Sequence, residues 1–371
     1  MSLSIHVLVP AWNEEEKLGA TLDSLLAQQR PIDRIIVIPN GCSDGTADLA
    51  RSFAQRSDTI TVFELPRLPH RKSEALNRAW NEYSRDADIV ITVDADTTFG
   101  PTAIAEWEQE FLAPTPDKKG RPLAGSVAKA IVLGQGYWKR MQKLEYSRVV
   151  DSALIRGTTT VLAGAGTAFL GKALVEVANL ADGREGPWSY DSMTEDYEIT
   201  LQLRKLGWTC ITSPDVRMYT DGMKDLPSLW GQRMKWATGQ YHELMRHGLT
   251  RYTFRDWGGH CMMAFMIAIQ ALWMWILGSR VADGSLEIHW FWWGVYPAIF
   301  LAFELFMCSR TAHVDRHDYF WSLAVIPYVA FRALGMAWLV WAALATARER
   351  LTGRFADRWE KQKRAERETV A

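Results

Sequence analysis

The chain has 371 residues and a formal net charge of −1, room for one domain of ordinary size and a further segment. Near-neutral charge, with no Lys/Arg-rich stripe carrying interleaved aromatics over residues 1–220, argues against a nucleic-acid binder. Four widely spaced cysteines (Cys42, Cys210, Cys261, Cys308) form no CxxC and indicate neither a zinc site nor a disulfide framework.

The N-terminus lacks a basic start followed by a long apolar core, so no secretory signal is expected and the first part is assigned to the reducing cytosol. Ile5–Ala11 reads as a buried strand, 15–29 as a helix, Arg34–Pro39 as a strand and 44–56 as a helix. Strand 60–65, helix 72–84 and strand Ile89–Val93 follow. This alternation predicts an α/β domain with a mostly parallel sheet and helices on both faces. Ligands of such sheets sit beyond the carboxyl ends of the strands, where Pro10–Asn13, Asn40–Asp44 and Asp94–Asp96 all fall. After residue 225 the pattern changes. Leu226–His247 can be drawn as an amphipathic helix lying in a membrane interface, with Trp230, Met234, Leu244 and Met245 among its apolar positions. Three apolar runs follow, at 261–278, 288–308 and 319–346. Each is long enough, at about 1.5 Å per residue, to cross roughly 30 Å of hydrocarbon. The third is expected to tilt, break near Pro327 or protrude. Glu304 and Arg332 lie inside these runs, where a lone charge costs roughly 2.5–3.5 kcal/mol, so they are expected to face each other or line a polar path. The tail at 347–371 holds eight Lys/Arg against five Asp/Glu. Three true spans would export it, whereas its charge favours the cytosol.

The polar clusters each admit two readings. Asp94-Ala95-Asp96 can bind a hard divalent cation and leave positions for phosphate oxygens, or it can be a solvated turn capping the helix at Pro101. Thr194-Glu195-Asp196 opens an amphipathic helix. Ser192 with Glu195 makes a capping-box pattern that needs no catalysis, while Asp196 in the first turn is kept ionised by the helix dipole and can accept a proton. Gln232-Arg233-Met234-Lys235-Trp236 can be an ordinary interfacial stripe. Lys72 is either a solvated helix start or a phosphate contact. Gly164-Ala165-Gly166 lacks the third glycine of a dinucleotide fingerprint, which leaves a Rossmann oxidoreductase poorly supported.

Taken in order, these segments resemble the family-2 inverting glycosyltransferases, in particular the membrane-integrated branch that includes cellulose, chitin, hyaluronan and poly-N-acetylglucosamine synthases. Val9-Pro10-Ala11-Trp12-Asn13-Glu14-Glu15 resembles the family's opening VPAYNEE, Asp94–Asp96 its DxD, Thr194–Asp196 its TED and Gln232–Trp236 its Q(Q/R)xRW. Gly164–Phe169 resembles the small-residue segment before the acceptor site. The chain departs from the pattern in two segments. Asn40 and Asp44 stand near the family's paired aspartates, and Lys235 replaces an arginine, losing its bidentate fork. The resemblance implies a GT-A catalytic domain over 1–225, an interfacial region over 226–257, membrane helices over 258–346 and a charged tail. It implies a metal-dependent inverting transferase, seated in a bacterial plasma membrane with its catalytic domain cytosolic. The donor is a UDP-sugar and the acceptor a carbohydrate or a lipid-linked one, with polymer synthesis or single transfer to a glycolipid or polyprenyl phosphate both open. A non-catalytic nucleotide-binding membrane protein is a more distant alternative. By resemblance, Asp196 is the base beside Glu195, Asp96 holds Mg²⁺ or Mn²⁺, Asp94 stands on the ribose or metal side, and both aspartates also belong to the nucleotide-sugar site. Pro10, Ala11, Asn13, Glu14, Asn40, Asp44 and Lys72 line the nucleotide-sugar. Gly164, Gly166, Gln232, Arg233, Lys235 and Trp236 serve the acceptor or diphosphate.

Overall fold

The structure, a computed structural model, describes residues 3–114, 120–287, 289, 291–353 and 356. The chain divides into two compact units. One comprises 1–133 and 149–222, the other 134–148 and 223–371. The sequence boundary at 225 lies close to the end of the first unit, but grouping 134–148 with the C-terminal half was not anticipated.

In the first unit, β1 (Ile5–Ala11), α1 (Leu18–Leu26), β2 (Arg34–Pro39), α2 (Thr46–Ala54), β3 (Ile60–Val62), α3 (Arg71–Ala79), β4 (Ile89–Val93) and β5 (Thr98–Phe99) come first. They are followed by α4 (Ala103–Leu112), β6 (Leu123–Leu133), the end of α5 (Tyr137–Arg156), β7 (Gly166–Leu170), α6 (Gly171–Ala178), α7 (Glu195–Lys205) and β8 (Thr209–Asp221). The strands read as continuous apolar runs are those buried on both faces. Every residue of β4 is buried, and β1 is nearly so. The helices are shorter than their apolar periodicity suggested. α1 begins at Leu18 rather than Glu15: residues 15–17 form a turn, with Lys17 N–H donating to Glu14 O at 3.1 Å, and the segment is braced from outside by Glu14 N–H donating to Thr46 Oγ1 (2.8 Å) and Glu15 N–H to Asp44 Oδ2 (3.3 Å). Helix 72–84 continues past α3 only as a π-turn at Trp80–Ser84, where Trp80 is fully buried.

One eight-stranded sheet has the order β3-β2-β1-β4-β7-β6-β8-β5. β3, β2, β1 and β4 are parallel, as the alternation predicted. β7 then runs antiparallel to both β4 and β6, and β5 antiparallel to β8, so the sheet as a whole is mixed. This fold keeps the carboxyl ends of β1, β2 and β4 on one edge, with β7 starting beside the end of β4 (Val93 pairs with Gly166).

In the second unit, the first half of α5 is joined by α8 (Leu226–His247), α9 (Phe254–Ala282), α10 (Tyr296–Ser309), α11 (Arg316–Leu323) and α12 (Val325–Thr352). α8 has the bounds expected from the sequence, capped by Asp225, which accepts from Ser228 N–H at 2.8 Å. Its apolar stripe is not left for lipid. Leu229, Met234 and Ala237 pack with Met141, Leu144, Tyr328, Phe331 and Trp338. Of the three apolar runs, two form helices long and apolar enough to cross a membrane, α9 (29 residues) and Pro327–Thr352 (26 residues). In the middle run a π-turn at Phe291–Val295 leads directly into α10, an α-helix of 14 residues, about 21 Å. The third run does break, at Ala324 between α11 and α12, close to the expected Pro327. Glu304 is fully buried and Arg332 Nη1 lies 3.8 Å from its Oε1, the pairing expected, while Arg148 of α5 donates to the other oxygen. Most of the charged tail lies outside the described residues.

Candidate active site

β4 delivers Asp94 to the sheet edge, and the chain turns at once, with Thr97 N–H donating to Asp94 O at 3.1 Å. The turn is fixed from both sides. Asp94 N–H donates to Ala165 O (3.3 Å), and Thr21 Oγ1 to Ala95 O (2.8 Å). The N-cap of α4 is Thr102, with no side-chain cap. Asp94 and Asp96 are therefore not used as helix caps, and their side chains stay 37% and 33% exposed. Lys17 Nζ lies 3.7 Å from Asp96 Oδ2. The sequence reading missed Lys17, since a lone lysine in a turn carries no pattern of its own.

Lys72, read from the sequence as a solvated helix start or a phosphate contact, is central here. Its Nζ lies 2.5 Å from Asp94 Oδ1 and 3.5 Å from Glu195 Oε1. Burial alone pulls this ammonium down, but the charges of Asp94 and Glu195, the hydrogen bond to Asp94 and the charge of Asp196 outweigh it. Together they hold Lys72 well above its ordinary range. It is therefore a fixed cation. Gly164 makes room for it, because a β-carbon there would stand 2.9 Å from Lys72 Nζ. Gly166 has a different part. A β-carbon there would meet Met218 Sδ at 2.7 Å and Phe99 Cζ at 2.9 Å, inside the sheet packing.

α7 begins at Glu195 with Thr194 as N-cap and no side-chain cap. The capping box expected from Ser192 and Glu195 does not form. Ser192 Oγ accepts from Thr194 N–H (3.2 Å), and the Glu195 carboxylate goes to Lys72 instead. A charged partner outweighs a backbone amide here. Asp196 sits in the first turn, where the helix N-terminus favours its negative form, and Asp196 Oδ1 accepts from Tyr197 N–H at 2.7 Å.

The loops after β1 and β2 brace one another. Pro10 and Ala11 end β1, and Asn40 N–H donates to Ala11 O (2.9 Å). Asn13, at φ 55°, accepts from Ser43 N–H at 2.8 Å. Asp44 accepts from Thr46 N–H (3.1 Å) and Thr46 Oγ1 (2.6 Å); burial opposes its charge, but these bonds hold its carboxyl below the usual range. Asn40 is 8% exposed and both ends of its amide are engaged. Its Oδ1 accepts from Leu68 N–H and its Nδ2 donates to Arg71 O, each at 3.1 Å. It thereby fixes the segment that leads into Lys72.

Gln232–Trp236 belongs to α8 of the second unit. Arg233 is 9% exposed, and its Nη2 lies 2.6 Å from Glu145 Oε2. Its guanidinium carbon stands over the rings of Trp236 (4.8 Å), Tyr146 (5.5 Å) and Trp338 (5.8 Å). The guanidinium expected to hold diphosphate or acceptor is thus committed to packing within its own unit. The Gln232 side-chain oxygen is buried with no hydrogen-bond partner among the described residues. Lys235 and Trp236 are half-buried.

Comparison with known proteins points one way. The profile described as Glycosyltransferase like family 2 matches residues 4–239. The poly-beta-1,6-N-acetyl-D-glucosamine synthase of Staphylococcus aureus (strain COL) is 28% identical over 284 residues, 74% of this chain and 63% of that protein. The synthase of the same name from Staphylococcus epidermidis (strain ATCC 35984) is 28% identical over 254 residues, 65% of this chain and 56% of that protein. The chain therefore spans less than two thirds of the curated relatives it matches. Among solved structures, the mannosyltransferase PcManGT from Pyrobaculum calidifontis, in complex with GDP-Man and Mn²⁺, superposes with a TM-score of 0.61. It is 20% identical and the match covers 94% of this chain and 88% of that one, a likeness of fold.

Proposed function

The chain belongs to the glycosyltransferase-like family 2, and from that premise we propose that it transfers a sugar from a nucleoside-diphosphate sugar to a carbohydrate or lipid-linked acceptor, inverting the anomeric carbon. One observation carries the reading. Lys72 gathers Asp94 from the end of β4 and Glu195 from the start of α7, with Asp196 acting on the same ammonium. Side chains remote in sequence thus share one polar edge of a family-2 fold.

Asp196 is assigned as general base. The acceptor hydroxyl oxygen attacks the anomeric carbon as its proton passes to the Asp196 carboxylate, and the bond from that carbon to the diphosphate oxygen breaks on the opposite face. A positioned base of this kind contributes roughly 10²–10⁴-fold. Lys72 balances charge on the departing diphosphate, and Glu195 keeps the ammonium aimed. Half-exposed Asp94 and Asp96 are an oxygen-only donor pair. They suit Mg²⁺ or Mn²⁺, ions that take one or two protein carboxylates and fill their remaining positions with phosphate oxygens and water. When bound, such an ion supplies further charge stabilisation to the leaving group. Pro10, Ala11, Asn13, Glu14 and Asp44 shape the nucleotide side, with Asn40 acting through the segment it braces. Lys235 and Trp236, with Gln232, are assigned to the acceptor. The names of the relatives support N-acetylglucosamine as the sugar, with transfer repeated into a polymer; a UDP donor is what the motif resemblance implies. α9 and the Pro327–Thr352 part of α12 support a seat in the membrane.

The test is transfer by the full chain in detergent or nanodiscs, with labelled UDP- and GDP-sugars and Mg²⁺ or Mn²⁺, followed by sizing of products. A labelled glycoside from UDP-N-acetylglucosamine is expected. Hydrolysis alone, or no turnover with any donor, refutes the assignment; a ladder on a gel indicates repeated transfer and a single band one addition.

A further inference from the structure

We propose that Lys72 is an internal counter-cation that contests Asp94 with the divalent ion, so that metal and nucleotide must enter together. This deepens the reading above and rests on it. Three observations support it. Lys72 Nζ is 2.5 Å from Asp94 Oδ1, the geometry of a strong charge-assisted bond. The same ammonium is 3.5 Å from Glu195, so it has a second anionic partner when it lets go of Asp94. Gly164 leaves the space the ammonium occupies, since a β-carbon there would stand 2.9 Å from Nζ.

The consequences follow from charge. A cation arriving alone meets Asp96, already 3.7 Å from Lys17, and an Asp94 already neutralised by Lys72. Its affinity is low because it must first displace a bonded ammonium. A nucleoside diphosphate changes the balance. Its phosphate oxygens give Lys72 a new anionic partner, and Asp94 is released for the ion. Lys72 thus holds Asp94 and Glu195 in place in the empty site and turns to the diphosphate in the loaded one. By this account the empty protein resists filling its cation site without substrate.

The experiment is Mn²⁺ binding to the full chain in detergent, by calorimetry and by the electron spin resonance of free Mn²⁺, with and without UDP. Lys72→Gln, Gly164→Ala and Asp96→Ala are compared with wild type. Gly164→Ala displaces only the far end of a flexible side chain and leaves the lysine present, so it separates the seat from the charge. Expected is Mn²⁺ binding without UDP that is tighter by about fivefold or more in both Lys72→Gln and Gly164→Ala, the upper end for a solvent-touched ion pair. Enhancement of Mn²⁺ binding by UDP should shrink in the same two variants, and Asp96→Ala should lose Mn²⁺ binding in both conditions. Unchanged or weaker Mn²⁺ binding in both Lys72→Gln and Gly164→Ala, with the ion lost in Asp96→Ala, overturns this inference and leaves the metal assignment standing. Mn²⁺ binding that survives Asp96→Ala overturns the metal assignment and this inference with it.

Discussion

Asp196→Asn is the substitution that bears most directly on the chemistry. The change is nearly isosteric, and the amide oxygen can still accept from Tyr197 N–H, which Asp196 Oδ1 does at 2.7 Å, so the first turn of α7 is retained. Lys72 keeps its closer partners, Asp94 at 2.5 Å and Glu195 at 3.5 Å, and loses only the more remote charge. Nucleotide affinity should therefore change by no more than about fivefold, the worth of a screened ion pair. What disappears is the proton acceptor. Its expected share, 10²–10⁴-fold, corresponds to roughly 2.7–5.4 kcal/mol of barrier at about 1.36 kcal/mol per decade. The assay is initial-rate transfer of labelled sugar at saturating donor, paired with calorimetry of UDP. The expected result is collapse of kcat with UDP affinity nearly kept. Transfer within a few-fold of wild type would remove Asp196 from the mechanism, and equal loss of binding and turnover would make it a structural residue.

Glu145→Ala strips the anion from Arg233, which is 9% exposed. Breaking a fully buried pair costs about 3–5 kcal/mol; with the Glu145 side chain 32% exposed, roughly 2 kcal/mol is expected in denaturant unfolding, and an unchanged midpoint would mean that the rings alone hold the guanidinium. Asn40→Ala removes the amide that accepts from Leu68 N–H and donates to Arg71 O. Each such loss costs about 1–3 kcal/mol, and because the segment leads into Lys72, UDP affinity should fall in calorimetry; undiminished affinity would show that Asn40 does not govern the site. Glu110 offers a pH test. Burial raises its carboxyl above the ordinary 4.5, only partly offset by the hydroxyls of Ser126 and Ser213. The unfolded carboxyl then sheds its proton first, so stability is fully present below the unfolded value and falls as pH rises through the folded one. Glu110→Gln removes this slope, so it should gain on wild type between about pH 4 and pH 7 in unfolding experiments. A difference that does not vary with pH would contradict the sign.

Some of this was readable along the chain. The strands Ile5–Ala11, Arg34–Pro39 and Ile89–Val93 emerge with the expected bounds because a strand buried on both faces writes itself as an unbroken apolar run. Asp94–Asp96 at the end of the third of these, and α8 from Leu226 to His247, are local patterns of the same kind. The pairing of Glu304 with Arg332 followed from the cost of leaving either alone in apolar surroundings.

Other features depend on partners that no local window contains. The antiparallel insertion of β7 between β4 and β6 is a matter of which distant edges meet. Asn13 and Glu14 are braced by Ser43 and Thr46 from a distant loop, and α1 starts only at Leu18. The Arg233 guanidinium is held by Glu145 and three rings, although its motif suggested a ligand contact. Lys72 stood open between a solvated helix start and a phosphate contact until the fold brought Asp94 and Glu195 to it. Periodicity and burial act between near neighbours and so are written in the order of residues, whereas the pairing of charges acts through space and is decided only when the chain closes on itself.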